Sequence, residues 1–237
     1  KVLTDVRNAY NTIAKEWNTS RPKVRAIMMP FLKKIPNGAH VLDLGCGNGI
    51  VYEFLTQKSI FYTGVDISKK LISYARKRAL MAKGRASSNF KVASAVALPF
   101  VDKSFSYVAC YAMLHHVPSN FERQKVAREM FRVLLPGGKI YVTVWNLFSD
   151  YARASFKIDD QLARPRPNFD GGDVVVLWKA TPQKIVERYL HAFTQDELKT
   201  LFKGAGFKNV RSYFCDKKTG KKADIHQGAD IILTGIK

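Results

Sequence analysis

The sequence predicts an α/β domain built in three layers, and three observations predict it. Short apolar, strand-like runs alternate with helical spacings from Val41 to Trp145. The first run, Val41 to Leu44, passes at once into a turn with glycine at alternate positions, Gly45, Gly47 and Gly49. The chain then closes on two further strand-like runs, Phe207 to Phe214 and Ala229 to Ile236. In open sheets of this kind a ligand sits beyond the carboxyl ends of the strands.

The elements follow in order. Val6, Tyr10, Ile13, Ala14 and Trp17 recur at helical spacing within Leu3 to Trp17. Ser20-Arg21-Pro22 opens a second helix that runs through Lys34 and ends at Pro36-Asn37-Gly38. The first strand and glycine turn come next, with Asp43 at the mouth of the turn and a helix over Ile50 to Gln57. The turn is not a dinucleotide fingerprint, because Ile50 and Tyr52 stand where a third spaced glycine is needed. It is not a P-loop either, since no Gly-Lys-Ser/Thr follows.

Ile60 to Val65 is the second strand, with Asp66 at its end, a spacing that suits a carboxylate gripping ribose hydroxyls. Ser68 caps a helix reaching to about Lys83. Asn89 to Ala93 and Phe105 to Tyr111 are the third and fourth strands, and Leu114-His115-His116 follows the fourth. Val126, Met130, Val133 and Leu134 mark one face of a helix over Phe121 to Leu135. Pro136-Gly137-Gly138 breaks it, and Lys139 to Trp145 is the fifth strand. Asn146 to about Lys184 is the least regular segment and is read as an insertion over the carboxyl edge of the sheet. Thr194 caps the last helix, Gln195 to Lys203.

These elements give one domain in four parts: N-terminal helices (1–36), a ligand-binding core (37–145), a substrate-side insertion (146–193), and a C-terminal helix with the closing strands (194–237). The three cysteines, Cys46, Cys110 and Cys215, are isolated, with no zinc spacing, and fit a reducing cytosol. No metal site is expected. The longest apolar runs fall short of a membrane span, and Lys1 to Tyr10 carries no signal-peptide pattern. With 39 Lys and Arg against 19 Asp and Glu, the net charge of +20 points to a polyanionic partner, nucleic acid foremost.

Asp43-x-Gly45-x-Gly47, Asp66, Leu98-Pro99-Phe100, Leu114-His115-His116 and Arg132 to Gly138 resemble the successive motifs of class I S-adenosylmethionine-dependent methyltransferases. That resemblance implies a Rossmann-like seven-stranded sheet with a reversed final strand. It implies S-adenosylmethionine as cofactor, held by Asp43, Gly45, Cys46, Gly47, Asn48, Gly49, Asp66, Ile67, Ser94, Ala95, Leu98, Tyr111 and His115. Ser94 stands where relatives commonly place an Asp for the adenine amino group, and a hydroxyl can accept the same hydrogen bond. His115 also reads as a structural histidine at a strand end, with only His116 pointing to the opening.

The flanks narrow the resemblance. Tyr10-Asn11-x-Ile13-Ala14 with Ser20-Arg21, Val144-Trp145, Asp173 to Lys179, and Arg188-Tyr189-Leu190-His191-Ala192-Phe193 are similar to the tRNA methyltransferases that esterify 5-carboxymethyluridine at the wobble position. Leu177 and Leu190 depart from that pattern, standing for a proline and a tyrosine. The resemblance implies Arg21, His116 and Arg188 as catalytic, and Trp145, Asn146, Trp178, Tyr189 and His191 as substrate-binding. It implies a tRNA anticodon loop as partner, a cytoplasmic location, and, as in eukaryotic relatives, a small zinc-containing activator protein. The lysines and arginines of Lys69-Lys70, Arg76 to Arg78, Lys83, Arg85 and Lys217 to Lys222 are the expected phosphate contacts. Two other readings compete: a small-molecule methyltransferase of the quinone or sterol type, and an RNA-binding adapter that keeps the fold without the activity.

Overall fold

The computed structural model describes residues 2–20, 24–181 and 184–237. Strands β1 (His40–Leu44), β2 (Phe61–Asp66), β3 (Ser87–Val92), β4 (Phe105–Tyr111) and β5 (Leu134–Trp145) lie parallel in the order β3-β2-β1-β4-β5. Beyond β5 the sheet continues through β10 (Asp230–Ile236), β8 (Lys208–Cys215) and a two-residue β9 (Lys222–Ala223). β10 runs antiparallel to both β5 and β8, so the final strand is reversed as expected. The sheet holds the seven expected strands plus β9 at its edge.

Alternation along β1 builds the layers. Val41 joins a cluster with Leu55, Tyr62, Ile72, Tyr141 and Ile232, under helices α2 (Met29–Leu32), α3 (Ile50–Leu55) and α4 (Lys69–Met81). Leu42 and Leu44 join the opposite cluster with Val108, Val126, Met130 and Phe202, under α5 (Asn120–Val133) and α8 (Gln195–Gly204). Helix starts obey their caps: the hydroxyls of Ser68, Ser119 and Thr194 accept from Leu71 N–H, Glu122 N–H and Glu197 N–H.

Three expectations need correction. The N-terminal helix α1 is longer than its apolar spacing suggested, Val2–Ser20. Among the described residues the second helix is reduced to a 3-10 turn, Ala26–Met28, and the single turn of α2; its expected opening at Arg21-Pro22 lies outside them. Pro136-Gly137-Gly138 does not separate helix from strand; β5 already starts at Leu134, with a register shift against β4.

The insertion is more ordered than its composition suggests. It forms α6 (Asp150–Phe156), α7 (Ile158–Ala163) and an antiparallel hairpin of β6 (Asp173–Thr181) and β7 (Lys184–His191). Leu147, Ala152, Ile158, Val174, Val176 and Leu190 give it a small core of its own. Helix α1 bridges the halves: Val6, Tyr10, Ile13 and Ala14 pack with Leu71 of α4 and Tyr189 of β7. Among the described residues no helix is long and apolar enough to cross a membrane.

Candidate active site

A cavity of about 1170 Å³ opens at the carboxyl ends of β1, β2, β4 and β5, roofed by α1 and the β6–β7 hairpin. Its floor is the glycine turn. Gly45 has φ +78°, and a Cβ there would overlap the Met113 side chain, so only glycine fits. Gly45 N–H and Cys46 N–H both donate to Val65 O, which folds the turn back against β2. At Gly47, by contrast, an added Cβ would meet only Trp17 Nε1, at 3.6 Å, which leaves the backbone open toward the cavity.

Two carboxylates, the buried Asp43 and the half-buried Asp66, face this floor. Asp66 Oδ2 accepts from Gly47 N–H at 3.0 Å, and its Oδ1 accepts from Ser68 N–H at 2.8 Å. Asp43 Oδ2 accepts from the Tyr62 hydroxyl at 2.6 Å. Burial pushes Asp43 up to about 7 against the relief given by Tyr62, and pushes Asp66 up to about 6 against its backbone donors. Each carboxylate keeps unused lone pairs beside an open cavity. A ligand bringing hydroxyls to Asp66 and a cation near Asp43 would relieve the desolvation that both now carry. The donor set therefore fits an aminoacyl nucleoside, and S-adenosylmethionine is one.

Of the residues expected to hold that cofactor, Asp43, Gly45, Cys46, Gly47, Asn48, Asp66, Ile67, Ser94, Ala95 and Tyr111 line the cavity. Three do not. Gly49 starts α3, where an added Cβ would press on Ala75. Leu98 is buried in the core, its N–H donating to Glu129. His115 is fully buried; its Nδ1 accepts from Trp145 N–H at 3.3 Å, while Nε2 meets no hydrogen-bond partner among the described residues. Burial, His116 and Arg188 together push His115 well below the ordinary histidine value, so it is a neutral prop behind Trp145.

On the opposite wall, Arg188 is 5% exposed, and its guanidinium lies 5.1 Å from the ring of Trp145 and 5.7 Å from that of Trp178. No carboxylate and no hydrogen-bond acceptor meets it among the described residues. His116 faces the same space, but both ring nitrogens are engaged. Nδ1 donates to Tyr189 O at 2.9 Å, and Nε2 lies 2.6 Å from the Tyr10 hydroxyl. These two contacts tie α1 to β7 through a residue that the resemblance makes catalytic. Asn146 also lines the cavity, yet its amide is spent on Ile225 O and Gly228 O.

Tyr189 and His191, expected to bind substrate, do not line the cavity. The Tyr189 hydroxyl donates to Asp173 at 2.6 Å and accepts from Arg123. His191 is held between Asp173 and Glu197, at 2.6 and 2.7 Å. Successive residues of a strand face opposite ways, so Arg188 can face the cavity only while Tyr189 faces the core. Arg21 lies outside the described residues.

Sequence reasoning gave no site role to α1. Trp17 covers the glycine turn and meets Trp178 edge-on at 5.6 Å, and Asn18 accepts from Asn48 at 2.9 Å. It also missed the pair of Arg25 and buried Asp230, joined at 2.6 Å beside Trp145. Of the basic clusters, Arg76 is spent on Phe90 O and Arg78 on Asn48 O and Glu53, whereas Lys217 and Lys218 line the cavity.

A family model described as a methyltransferase domain matches residues 42–142. A SAM-dependent methyltransferase structure from Methanosarcina mazei superimposes over 91% of this chain and 98% of its own, with a TM-score of 0.69 and 26% identity. Residues 42–142 are a methyltransferase domain, and the fold around them is that of class I S-adenosylmethionine-dependent methyltransferases. Several curated relatives share one name. A tRNA (carboxymethyluridine(34)-5-O)-methyltransferase from Arabidopsis thaliana is 34% identical over 145 residues, 59% of this chain and 32% of that protein. One of the same name from Schizosaccharomyces pombe is 26% identical over 220 residues, covering 85% of this chain and 87% of its own length. The chain spans about a third or less of the length of several other curated relatives that it matches. The cofactor of the methyltransferase domain is S-adenosylmethionine.

Proposed function

We propose that this chain transfers a methyl group to the carboxylate of a 5-carboxymethyl-type uridine at the wobble position of tRNA, giving the methyl ester. One observation carries the reading: Arg188 is a buried guanidinium, 5.1 and 5.7 Å from two indole rings, lining the cavity with no acidic partner among the described residues. A buried cation left without an anion is costly unless its ligand supplies one. The similarity to relatives named for this reaction supports the same substrate.

S-adenosylmethionine, when bound, supplies the activated methyl group. Asp43 and Asp66 would hold its charged and hydroxyl-bearing ends, the Gly45–Asn48 turn would admit it, and Ser94 and Ala95 would meet its adenine. The substrate carboxylate is ionised at neutral pH and is itself the nucleophile, so the chain needs no general base. Arg188 binds the carboxylate in a forked geometry and leaves an oxygen lone pair to attack. Trp145 and Trp178 fix the fork and exclude water, and most of the acceleration comes from alignment. His116, Tyr10 and His115 position these groups without moving a proton. Arg21, by its resemblance, adds a second contact to substrate. That substrate, and the three free cysteines, point to the cytoplasm.

The test offers two tRNAs that differ at one position, carrying 5-carboxymethyluridine or its carbamoyl analogue. The assay uses the chain alone and with a small zinc-containing activator protein, the partner that the resemblance implies. Methylation of the acid alone supports the reading. Equal methylation of both, or of neither, contradicts it.

A further inference from the structure

We propose that the cavity rim holds a second nucleotide of the strand that carries the target base. The Tyr151 ring stacks on a flanking base, and Lys217 and Lys218 take the phosphates beside it. This rests on the RNA reading above and adds a site to it.

Tyr151 is 75% exposed, yet it lines the same cavity as Arg188. It stands on the first turn of α6, and that turn is firmly seated. Asp150 N–H donates to His226 O at 3.1 Å, Ser149 Oγ accepts from Ala152 N–H, and the Asn146 amide grips Ile225 O and Gly228 O. Its ring neighbour among the described residues is Phe156, edge-on at 6.1 Å. A large aromatic ring held in water on a fixed helical turn is a ready stacking platform.

Lys217 and Lys218 lie on the turn after β8, at the same rim. The acidic residue of that turn is used internally: Asp216 Oδ1 accepts from Lys218 N–H, Thr219 N–H and the Thr219 hydroxyl. Neither ammonium is held in a salt bridge among the described residues, although the field of Lys217 reaches Asp230 and that of Lys218 reaches Asp216; both side chains are exposed, and Lys221 and Lys222 follow after Thr219 and Gly220. The rim thus sets an exposed aromatic face and two exposed cations on one cavity, the combination by which single-stranded nucleic acid is held irrespective of sequence. A single nucleoside substrate would need neither.

The experiment measures steady-state methylation of an anticodon stem-loop carrying 5-carboxymethyluridine at several salt concentrations. It compares wild type with Tyr151→Ala, Tyr151→Phe and the double variant Lys217→Ala/Lys218→Ala. Tyr151→Ala should raise KM about tenfold, from the loss of one base stack, while Tyr151→Phe stays near wild type. The double lysine variant should raise KM and flatten its dependence on salt by about 0.7 in log–log slope per phosphate lost. Cofactor affinity and melting temperature, unchanged in all three, show that the variants fold. Unchanged KM and salt slope in every variant, with an active wild type, overturns the rim site alone. A wild type that methylates no RNA overturns the RNA reading, and the rim site with it.

Discussion

The guanidinium of Arg188 rests 5.1 Å from the indole of Trp145, on the wall of the cavity that Asp43 and Asp66 also line. One cation and two carboxyl groups thus line a single space open to ligand. Arg188→Ala should lower kcat/KM for tRNA by tenfold to about a hundredfold, the cost of losing charged hydrogen bonds to a carboxylate. Cofactor affinity, measured by calorimetry, should stay within error. Arg188→Lys keeps the charge but loses the fork and the stacking, and should recover only part of the rate.

Cofactor binding should depend on pH through Asp43 and Asp66. Burial has raised them to about 7 and about 6, so both are substantially protonated at pH 5.5 and ionised at pH 8. Affinity for S-adenosylmethionine should therefore weaken as pH falls from 8 to 5.5, and binding near pH 6.5 should release protons. Calorimetry in buffers of different ionisation enthalpy measures that release. Asp43→Asn should remove most of the acid dependence.

The same groups affect stability with the opposite sign. Their folded values lie above the unfolded 3.8, so the stabilisation from holding a proton is complete below that value and is lost as pH rises through 6 to 7. Without cofactor, wild type should lose melting temperature relative to Asp43→Asn between pH 5 and 8. Saturating cofactor should close that gap.

The hairpin that carries Arg188 is anchored by His191, and that anchor has its own pH window. Burial alone would lower His191, but Asp173 and Glu197 more than offset it and raise it above 6.5. Burial would raise Asp173, but His191, Tyr189 and Asp170 N–H outweigh it and lower it below 3.8. The raised histidine stabilises fully below 6.5 and loses its contribution as pH climbs through its folded value. The lowered aspartate contributes above 3.8 and loses its contribution as pH falls through its own. His191→Ala leaves Asp173 buried with its histidine partner removed and should cost roughly 3 kcal/mol in denaturant unfolding. It should also raise KM for tRNA more than it alters cofactor affinity.

Gly45→Ala should abolish cofactor binding. The left-handed backbone alone costs about 1–2 kcal/mol for a residue with a Cβ, and the new methyl would overlap Met113. Gly137→Ala is the contrast. It has a similar φ of +76° but nothing within 4 Å of the added Cβ, so it should cost stability without touching affinity.

What was legible in the sequence was local. Asp43, the glycine turn and Asp66 sit within one strand-turn-helix-strand unit, and spacing alone orders them. The fourth strand was legible to the residue because apolar Phe105 to Tyr111 is bounded by turn residues on one side. The insertion was not legible, because β6 and β7 are defined by pairing with each other, and Val174 to Trp178 alone reads only as an apolar patch. Nor does sequence say which face of β7 meets the cavity. Arg188 and His191 look equally functional in one dimension, yet one faces ligand space and the other Asp173 and Glu197. The same holds for Trp17, Tyr151 and Lys218, which come to one cavity from distant parts of the chain.

The most direct measurement incubates the purified chain with methyl-labelled S-adenosylmethionine and tRNA bearing 5-carboxymethyluridine, then digests the RNA for nucleoside mass analysis. The account predicts label in a base-labile methyl ester on the wobble uridine, strongly reduced in Arg188→Ala. Label at a ring or ribose position, or no label in RNA from a chain that binds the cofactor, would contradict it.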